Sequence, residues 1–280
     1  MDDKKIVITG ANGQVGRALQ KIYPQALALD REQLDITNQK AINEFNWDNV
    51  KVIINAAAWT DVDGAENPSN YNLVKAVNVD ASRYLATAAS QHDLTFVTFS
   101  SDYVFDGSQP IHNEDELFSP LNIYGKTKAD GDLAAATTIK HYIIRTSWVI
   151  GDGRNFVNIM QDLAARGVRP SVVNDQIGRL TFTDTLARGI KHLLEIGAPY
   201  GTYNLTNEGQ PVSWADIAKI VFEKSGKSPS DVQPVSTAEY FADKPNTAKR
   251  PLQSTLDLTK IEKTGFIPED WRDKLDKLLD

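Results

Sequence analysis

A doubly wound α/β fold, with a parallel sheet covered by helices on both faces and a smaller C-terminal α/β region, is the architecture this 280-residue sequence predicts. Three observations carry that expectation. Short continuous apolar runs alternate with helix-like segments through the first half. A glycine-spaced turn joins the first apolar run to the first helix. After Trp148 the alternation loosens, loops lengthen and prolines recur. Strands buried on both faces read as unbroken apolar runs, and right-handed crossovers wind them with helices on either side.

Taken in order, residues 6–9 read as a buried strand and 13–21 as a helix. A second strand at 26–29 ends at Asp30, and 38–46 is helical, with Asn38 as its cap. Strand three spans 52–54, a long helix 70–91, strand four 95–99, a helix lies within 120–137, and another strand covers 142–145. Beyond Trp148, residues 183–196 read as a helix that returns to the sheet. Residues 213–225 form another, capped by Ser213 and terminated by Gly226. Pro170, Pro199, Pro211, Pro229, Pro234, Pro245, Pro251 and Pro268 punctuate this half. The expected division is a nucleotide-binding domain over 1–147, joined again by the segment near 181–197, and a mainly substrate-binding domain over 148–280, with a cleft between them.

Composition narrows the function. Hydrophobic residues make up 41% and charged residues 24%, as in ordinary globular proteins. A net charge of −7 argues against nucleic acid or an anionic membrane as partner, so an anionic substrate requires a local basic pocket. The absence of cysteine excludes disulfides, thiolate metal sites and Cys nucleophiles, and fits a cytoplasmic location. No apolar run reaches the length of a signal peptide core or a membrane span.

Gly10, Gly13 and Gly16 follow a strand and open a helix, the context that makes a phosphate-cradling turn credible. Glycine permits the tight turn and the close approach of a pyrophosphate, and the helix N-terminus offers free N–H groups. Gly10, Asn12, Gly13, Gln14 and Val15 are therefore candidate cofactor contacts. Asp30, at the end of strand two, suits the adenosine ribose hydroxyls of NAD, whereas Arg31 suits a 2′-phosphate of NADP. The pair predicts use of NADPH or NADH. Asp35 and Ile36 can edge the adenine. Ala56, Ala57 and Ala58 after strand three either let a cofactor lie against backbone or simply pack a helix.

Tyr124 and Lys128 are four residues apart and share a helix face. A free phenol is a poor acid at neutral pH. The nearby ammonium is expected to lower its pKa, so that Tyr124 can protonate a carbonyl oxygen as hydride reaches the carbon. Lys128 can also hold the nicotinamide ribose. Ser100 and Ser101, read as lying just after strand four, sit where ligands bind in such sheets. Either hydroxyl could polarise a substrate carbonyl, and periodicity does not choose between them.

These residues carry a resemblance. The chain resembles the extended short-chain dehydrogenase/reductases, a Rossmann-like family, and within them the dTDP-4-dehydrorhamnose reductases. The similarity runs through GANGQVG from Gly10, INAAAWTDVDGAE from Ile54, SSDYVFDG from Ser100, SPLNIYGKTKADGD from Ser119, RTSWVIGDGRNFV from Arg145, VVNDQIGRLT from Val172, GTYNLTNEG from Gly201 and AKRPLQSTLD from Ala248. It implies reduction of the C4 keto group of dTDP-4-dehydro-6-deoxy-L-mannose to dTDP-L-rhamnose. In family terms Ser101 takes the place of a threonine, Tyr124 is the proton donor and Lys128 its partner. Asp102, Tyr103 and Trp148 line the sugar site, Asn155 and Phe156 lie toward the nucleotide, and Arg250 meets the diphosphate. Trp148 is otherwise simple core. The family's DQxGxPT reads Asp175 to Thr181 with Arg179 and Leu180, without the proline, and its RPxNS reads Arg250 to Ser254 with Gln253. No metal is expected, and the resemblance implies a monomer or homodimer. Two other readings remain: a nucleotide-sugar dehydratase or epimerase on the same fold, and a regulatory subunit resembling that of methionine adenosyltransferase. The tyrosine after Asp102, where the dehydratases carry a second acid, disfavours the first. The intact Ser101, Tyr124 and Lys128 disfavour the second.

Overall fold

A computed structural model describes residues 2–244 and 247–280; Pro245, one of the punctuating prolines, lies outside the described residues. The central sheet contains β1 (Ile6–Thr9), β2 (Leu27–Leu29), β3 (Val52–Asn55), β4 (Thr95–Ser101), β5 (His141–Thr146) and β6 (Gly201–Asn204), in the order β2-β1-β3-β4-β5-β6. Every pairing is parallel. The chain lays β2 on one side of β1 and then crosses to β3 on the other. That reversal creates a crevice at the carboxyl ends of β1 and β3, where ligands bind in open α/β sheets.

The apolar runs explain the layers. Along β1 and β3, Ile6, Ile8, Val52 and Ile54 pack on one face against α1 (Gln14–Ile22) and α6 (Thr183–Ile196), through Leu19, Leu186 and Ile190. The alternate residues Val7 and Ile53 pack on the other face against α2 (Gln39–Glu44) and α3 (Ala81–Gln91), through Ile42 and Leu85. Asn38 caps α2, its side chain accepting from the Lys40 and Ala41 N–H groups, as expected.

Three differences from the sequence reading matter. The long helix expected over 70–91 is divided into Tyr71–Lys75, a π-helical turn Ala76–Asp80 and α3. The wider turn presents Asn78, whose amide accepts from the Trp59 N–H at 2.9 Å and donates to Thr127 Oγ1 at 3.1 Å, inside α4 (Ile123–Ala135). Strand β4 runs to Ser101, so both serines end a strand rather than follow it, and Ser101 pairs with Thr146 of β5. Finally, α6 packs on the sheet and leads into β6, a short polar strand with no apolar run to announce it.

A second core gathers Val157 and Met160 of α5 (Phe156–Ala165), Ile217 and Val221 of α7 (Trp214–Lys224), and Leu180, Trp271 and Leu275. Small strand pairs edge it: Val149–Ile150 with Thr181–Phe182, Ser171–Val173 with Gln233–Val235, and Ile177–Gly178 with Val212–Ser213. Ser213 caps α7 through a capping box with Asp216, and Gly226 follows with a positive φ. Among the described residues no helix is long and apolar enough to cross a membrane.

Candidate active site

At the crevice, Gly10 has φ of +73°, and a Cβ there would lie 2.5 Å from the Ala57 nitrogen. Only glycine lets these two backbone segments meet. Asn55 locks the second segment, its Oδ1 accepting from Thr9 Oγ1 at 2.8 Å and from the Ala57 N–H at 3.2 Å. Gly13 precedes α1 without a side-chain cap, leaving the first helical N–H groups without intrahelical partners. A cavity of about 340 Å³ opens in front of them, lined by Gly10, Asn12, Gly13, Asp30, Arg31, Asp35, Ile36, Ala56, Ala57 and Ala58.

These residues fit a dinucleotide: free N–H groups at a helix N-terminus for phosphate, a carboxylate at the end of β2 for ribose, and a backbone floor without bulk. The Asp30 carboxylate accepts from the Glu32 and Gln33 N–H groups and from Asn12 Nδ2 at 3.3 Å. Arg31 is largely exposed, with its Nε 3.7 Å from Asp35, which also takes the Thr37 hydroxyl at 2.6 Å. Two expected contacts differ in kind. Val15 turns its side chain into the core and offers only backbone, whereas Gln14 donates to the Arg154 carbonyl at 3.5 Å. Arg17, not singled out by the sequence, holds the same loop through the Asn12 and Asp152 carbonyls.

The end of β4 and the start of α4 bring together Ser101, Asp102, Tyr103, Tyr124 and Lys128. Asn122 caps α4 through the Gly125 N–H at 2.7 Å, and a Cβ on Gly125 would collide with the Tyr103 carbonyl, so the two tyrosines are packed edge to face at 5.5 Å. Burial pushes the Tyr124 phenol up to about 12; the Ser101 hydroxyl opposes that rise, and the carboxylates of Asp102 and Asp132 add to it. The expected lowering by Lys128 is therefore reversed. The Lys128 ammonium is turned to the Phe99 carbonyl, 2.5 Å away, and burial holds it below its ordinary pKa while Asp132 opposes that shift. Asp132, one turn beyond Lys128, is buried and paired with Arg145 at 3.1 Å. Ser101 Oγ donates to Asp102 Oδ1 at 2.9 Å and accepts from the Tyr103 N–H at 3.2 Å, whereas Ser100 Oγ is buried without a hydrogen-bond partner among the described residues, which separates the two serines.

The expected sugar residues divide. A second cavity of about 420 Å³ is lined by Tyr103, Phe156 and Arg250, together with Asp63, Gln176, Trp214, Phe241 and Lys244. Lys244 and Arg250 supply the local basic charge an anionic ligand requires. Trp148 stacks on Trp214 at 3.8 Å and backs this wall rather than lining it. Asn155 is committed elsewhere: it caps α5 and donates to the Gly151 carbonyl at 2.8 Å. Asp102 is turned inward, accepting from Ser101 Oγ at 2.9 Å, and burial raises its carboxyl to about 6, against hydrogen bonds from Ser254 and Ser101. Asp63, Trp214 and Lys244 were not legible as site residues, because no spacing links them to the motifs.

The chain matches the RmlD substrate binding domain family over residues 4–280. It is 40% identical over 286 residues to a dTDP-4-dehydrorhamnose reductase of Aggregatibacter actinomycetemcomitans, covering 96% of each chain. Among solved structures, a dTDP-4-dehydrorhamnose reductase from Clostridium acetobutylicum superposes with a TM-score of 0.89 at 37% identity. One from Bacillus anthracis, in complex with NADP, superposes with 0.89 at 34%. Both comparisons cover 97% of each chain.

Proposed function

Because the chain belongs to the RmlD substrate binding domain family, we propose that it reduces the C4 keto group of dTDP-4-dehydro-6-deoxy-L-mannose to dTDP-L-rhamnose with NADPH or NADH, the last step of dTDP-rhamnose formation. The observation that carries this reading is the position of Tyr124, half-buried, protonated at neutral pH and packed edge to face on Tyr103 of the second cavity.

Gly10, Asn12, Gly13 and the first N–H groups of α1 hold the dinucleotide phosphates, Asp30 and Arg31 its adenosine end, and Ala56 to Ala58 its floor. The chemistry a bound reduced nicotinamide supplies is the hydride for the carbonyl carbon. On substrate binding the Ser101 hydroxyl turns its one proton from Asp102 to the carbonyl oxygen and polarises it. Tyr124 gives that oxygen its proton. A phenol raised to about 12 is firmly protonated, the state a reductive step requires, and it becomes a competent acid as charge develops on the oxygen beside it. Lys128 lies one turn away to hold the ribose and to neutralise the phenolate that remains. Arg250 and Lys244 meet the diphosphate, and Trp214 and Phe156 offer aromatic faces. The two cores support a division into a cofactor domain over 1–147, joined again by 181–197, and a mainly substrate-binding domain over 148–280. The reading makes the chain a cytoplasmic enzyme.

Turnover tests the reading. Purified protein mixed with the 4-keto sugar nucleotide and NADPH is expected to consume one cofactor per dTDP-L-rhamnose formed, identified by NMR. No cofactor oxidation by folded protein, or an isomerised keto sugar in place of the alcohol, contradicts it.

A further inference from the structure

The cavity assigned to an anionic sugar nucleotide contains a carboxylate, Asp63, on the short helix Val62–Ala65 that follows β3. A negative charge facing a diphosphate opposes binding unless it is spent on something else. Asp63 is spent twice. Its Oδ1 accepts from the Ala248 N–H at 3.0 Å, and its Oδ2 accepts from Arg250 Nη2 at 2.8 Å. Both partners lie far along the chain, so one side chain ties the cofactor half to the strap 248–250.

The strap has further anchors. Asn122, the cap of α4, donates to the Lys249 carbonyl at 2.7 Å with the amide edge its capping bond leaves free. Arg250 Nη1 donates to the Ala248 carbonyl at 2.9 Å, and the guanidinium lies over the Phe241 ring at 4.6 Å. Two of its five N–H donors are used in this way. The guanidinium is therefore held in one plane by a carboxylate at one edge and a ring against its face, with further donors available. A long cationic side chain loses rotamer freedom when it binds a ligand, and a side chain already held loses less.

We propose that Asp63 is the positioning residue for Arg250, spanning the two halves of the molecule to fix the guanidinium in the plane that receives the diphosphate of the sugar nucleotide. The inference rests on the reading of Arg250 as the diphosphate contact. Partial burial raises the Asp63 carboxyl, but the hydrogen bonds from Arg250 and Ala248 outweigh it and leave the group below its ordinary value, so the clamp persists through neutral pH.

The test is dTDP binding by calorimetry, which needs no turnover, alongside steady-state kinetics. Asp63→Ala and Asp63→Asn are expected to weaken dTDP about tenfold and raise KM for the sugar nucleotide about tenfold, with kcat and NADPH affinity within about twofold of native. The asparagine variant serves if the alanine variant fails to fold. Asp63→Ala combined with Arg250→Ala is expected to bind dTDP no more weakly than Arg250→Ala alone. If Arg250→Ala binds dTDP like the native protein, the reading of Arg250 falls and the inference with it. If Arg250→Ala loses affinity while the Asp63 variants bind dTDP equally well or more tightly, the reading stands and the inference is overturned: Asp63 is then only a charge that repels the ligand.

Discussion

The two cavities of the candidate site are built from different materials. The first is largely backbone: a left-handed glycine, uncapped helix N–H groups, and three alanines, the middle one held by Asn55. The second is side chain: Trp214 backed by Trp148, Phe241 under Arg250, and a carboxylate clamp reaching from the other half of the molecule. A backbone site needs consecutive residues with little bulk, so it leaves a compact mark in the sequence. A side-chain site can be assembled from anywhere in the chain, and this one is, from Asp63 to Arg250. The first region is accordingly sensitive to added bulk, the second to lost side chains.

Tyr124, the proposed proton donor, sets the largest effect. Tyr124→Phe is expected to lower kcat by roughly a thousandfold, within the range for general acid catalysis, while both ligands still bind. Stopped-flow turnover with equilibrium titrations of NADPH and dTDP measures this. With the phenol at about 12, the native reductive rate should show no loss from Tyr124 ionisation up to about pH 10 in the free enzyme.

Gly10→Ala tests the backbone region. It places a Cβ against the Ala57 nitrogen at a φ that disfavours side chains, so NADPH affinity should fall by roughly a hundredfold or more, with dTDP affinity nearly native. Trp214→Ala tests the other region in reverse, weakening dTDP by roughly tenfold and leaving NADPH unchanged. Fluorescence titration of each ligand against each variant measures both. If each variant weakened both ligands alike, the separation of the two regions would fail.

A last effect, on stability rather than on binding or turnover, concerns the buried Asp102. The Asp102 carboxyl has a higher pKa folded than unfolded, so the folded state binds its proton more tightly. That contribution to stability is fully present below the unfolded value near 3.8 and is lost as pH rises through about 6. Asp102→Asn should therefore be more stable than the native protein above pH 7, by up to about 3 kcal/mol at 1.36 kcal/mol per unit, and should lose that advantage toward pH 4. Urea denaturation at a series of pH values decides it; an equal difference at both ends removes the buried-proton account.

The same contrast explains what could be read in advance. Strands β1 and β3 were legible because every residue in them is buried, and the glycine turn, Asp30, Ile36 and Ala56 to Ala58 fall on short stretches that line one continuous crevice. Strand β6 was not, being only Gly201 to Asn204 and stabilised by pairing along β5 rather than by its own apolar side chains. The π-helical turn at Ala76–Asp80 leaves no mark in helix propensity, since its reason is the long-range bond from Asn78 to Thr127. Spacing put Lys128 on the right face but could not aim its ammonium, which the Phe99 carbonyl captures. The motif around Asn155 suggests a ligand contact, yet its amide is consumed by the cap and loop it builds. Asp63 lies inside a legible motif, but its partner is at Arg250, and no local pattern joins them.

In the proposed reaction a hydride from the dinucleotide held by the first region and a proton from Tyr124 meet at one carbonyl in the second. Reduction of the 4-keto sugar nucleotide with NADPH deuterated at the transferring position, by native protein and by Tyr124→Phe in parallel, tests it most directly. The account predicts deuterium at C4 of the dTDP-L-rhamnose formed, and a roughly thousandfold slower reaction in the variant. Deuterium elsewhere or nowhere in the product, or a variant as fast as the native protein, would contradict it.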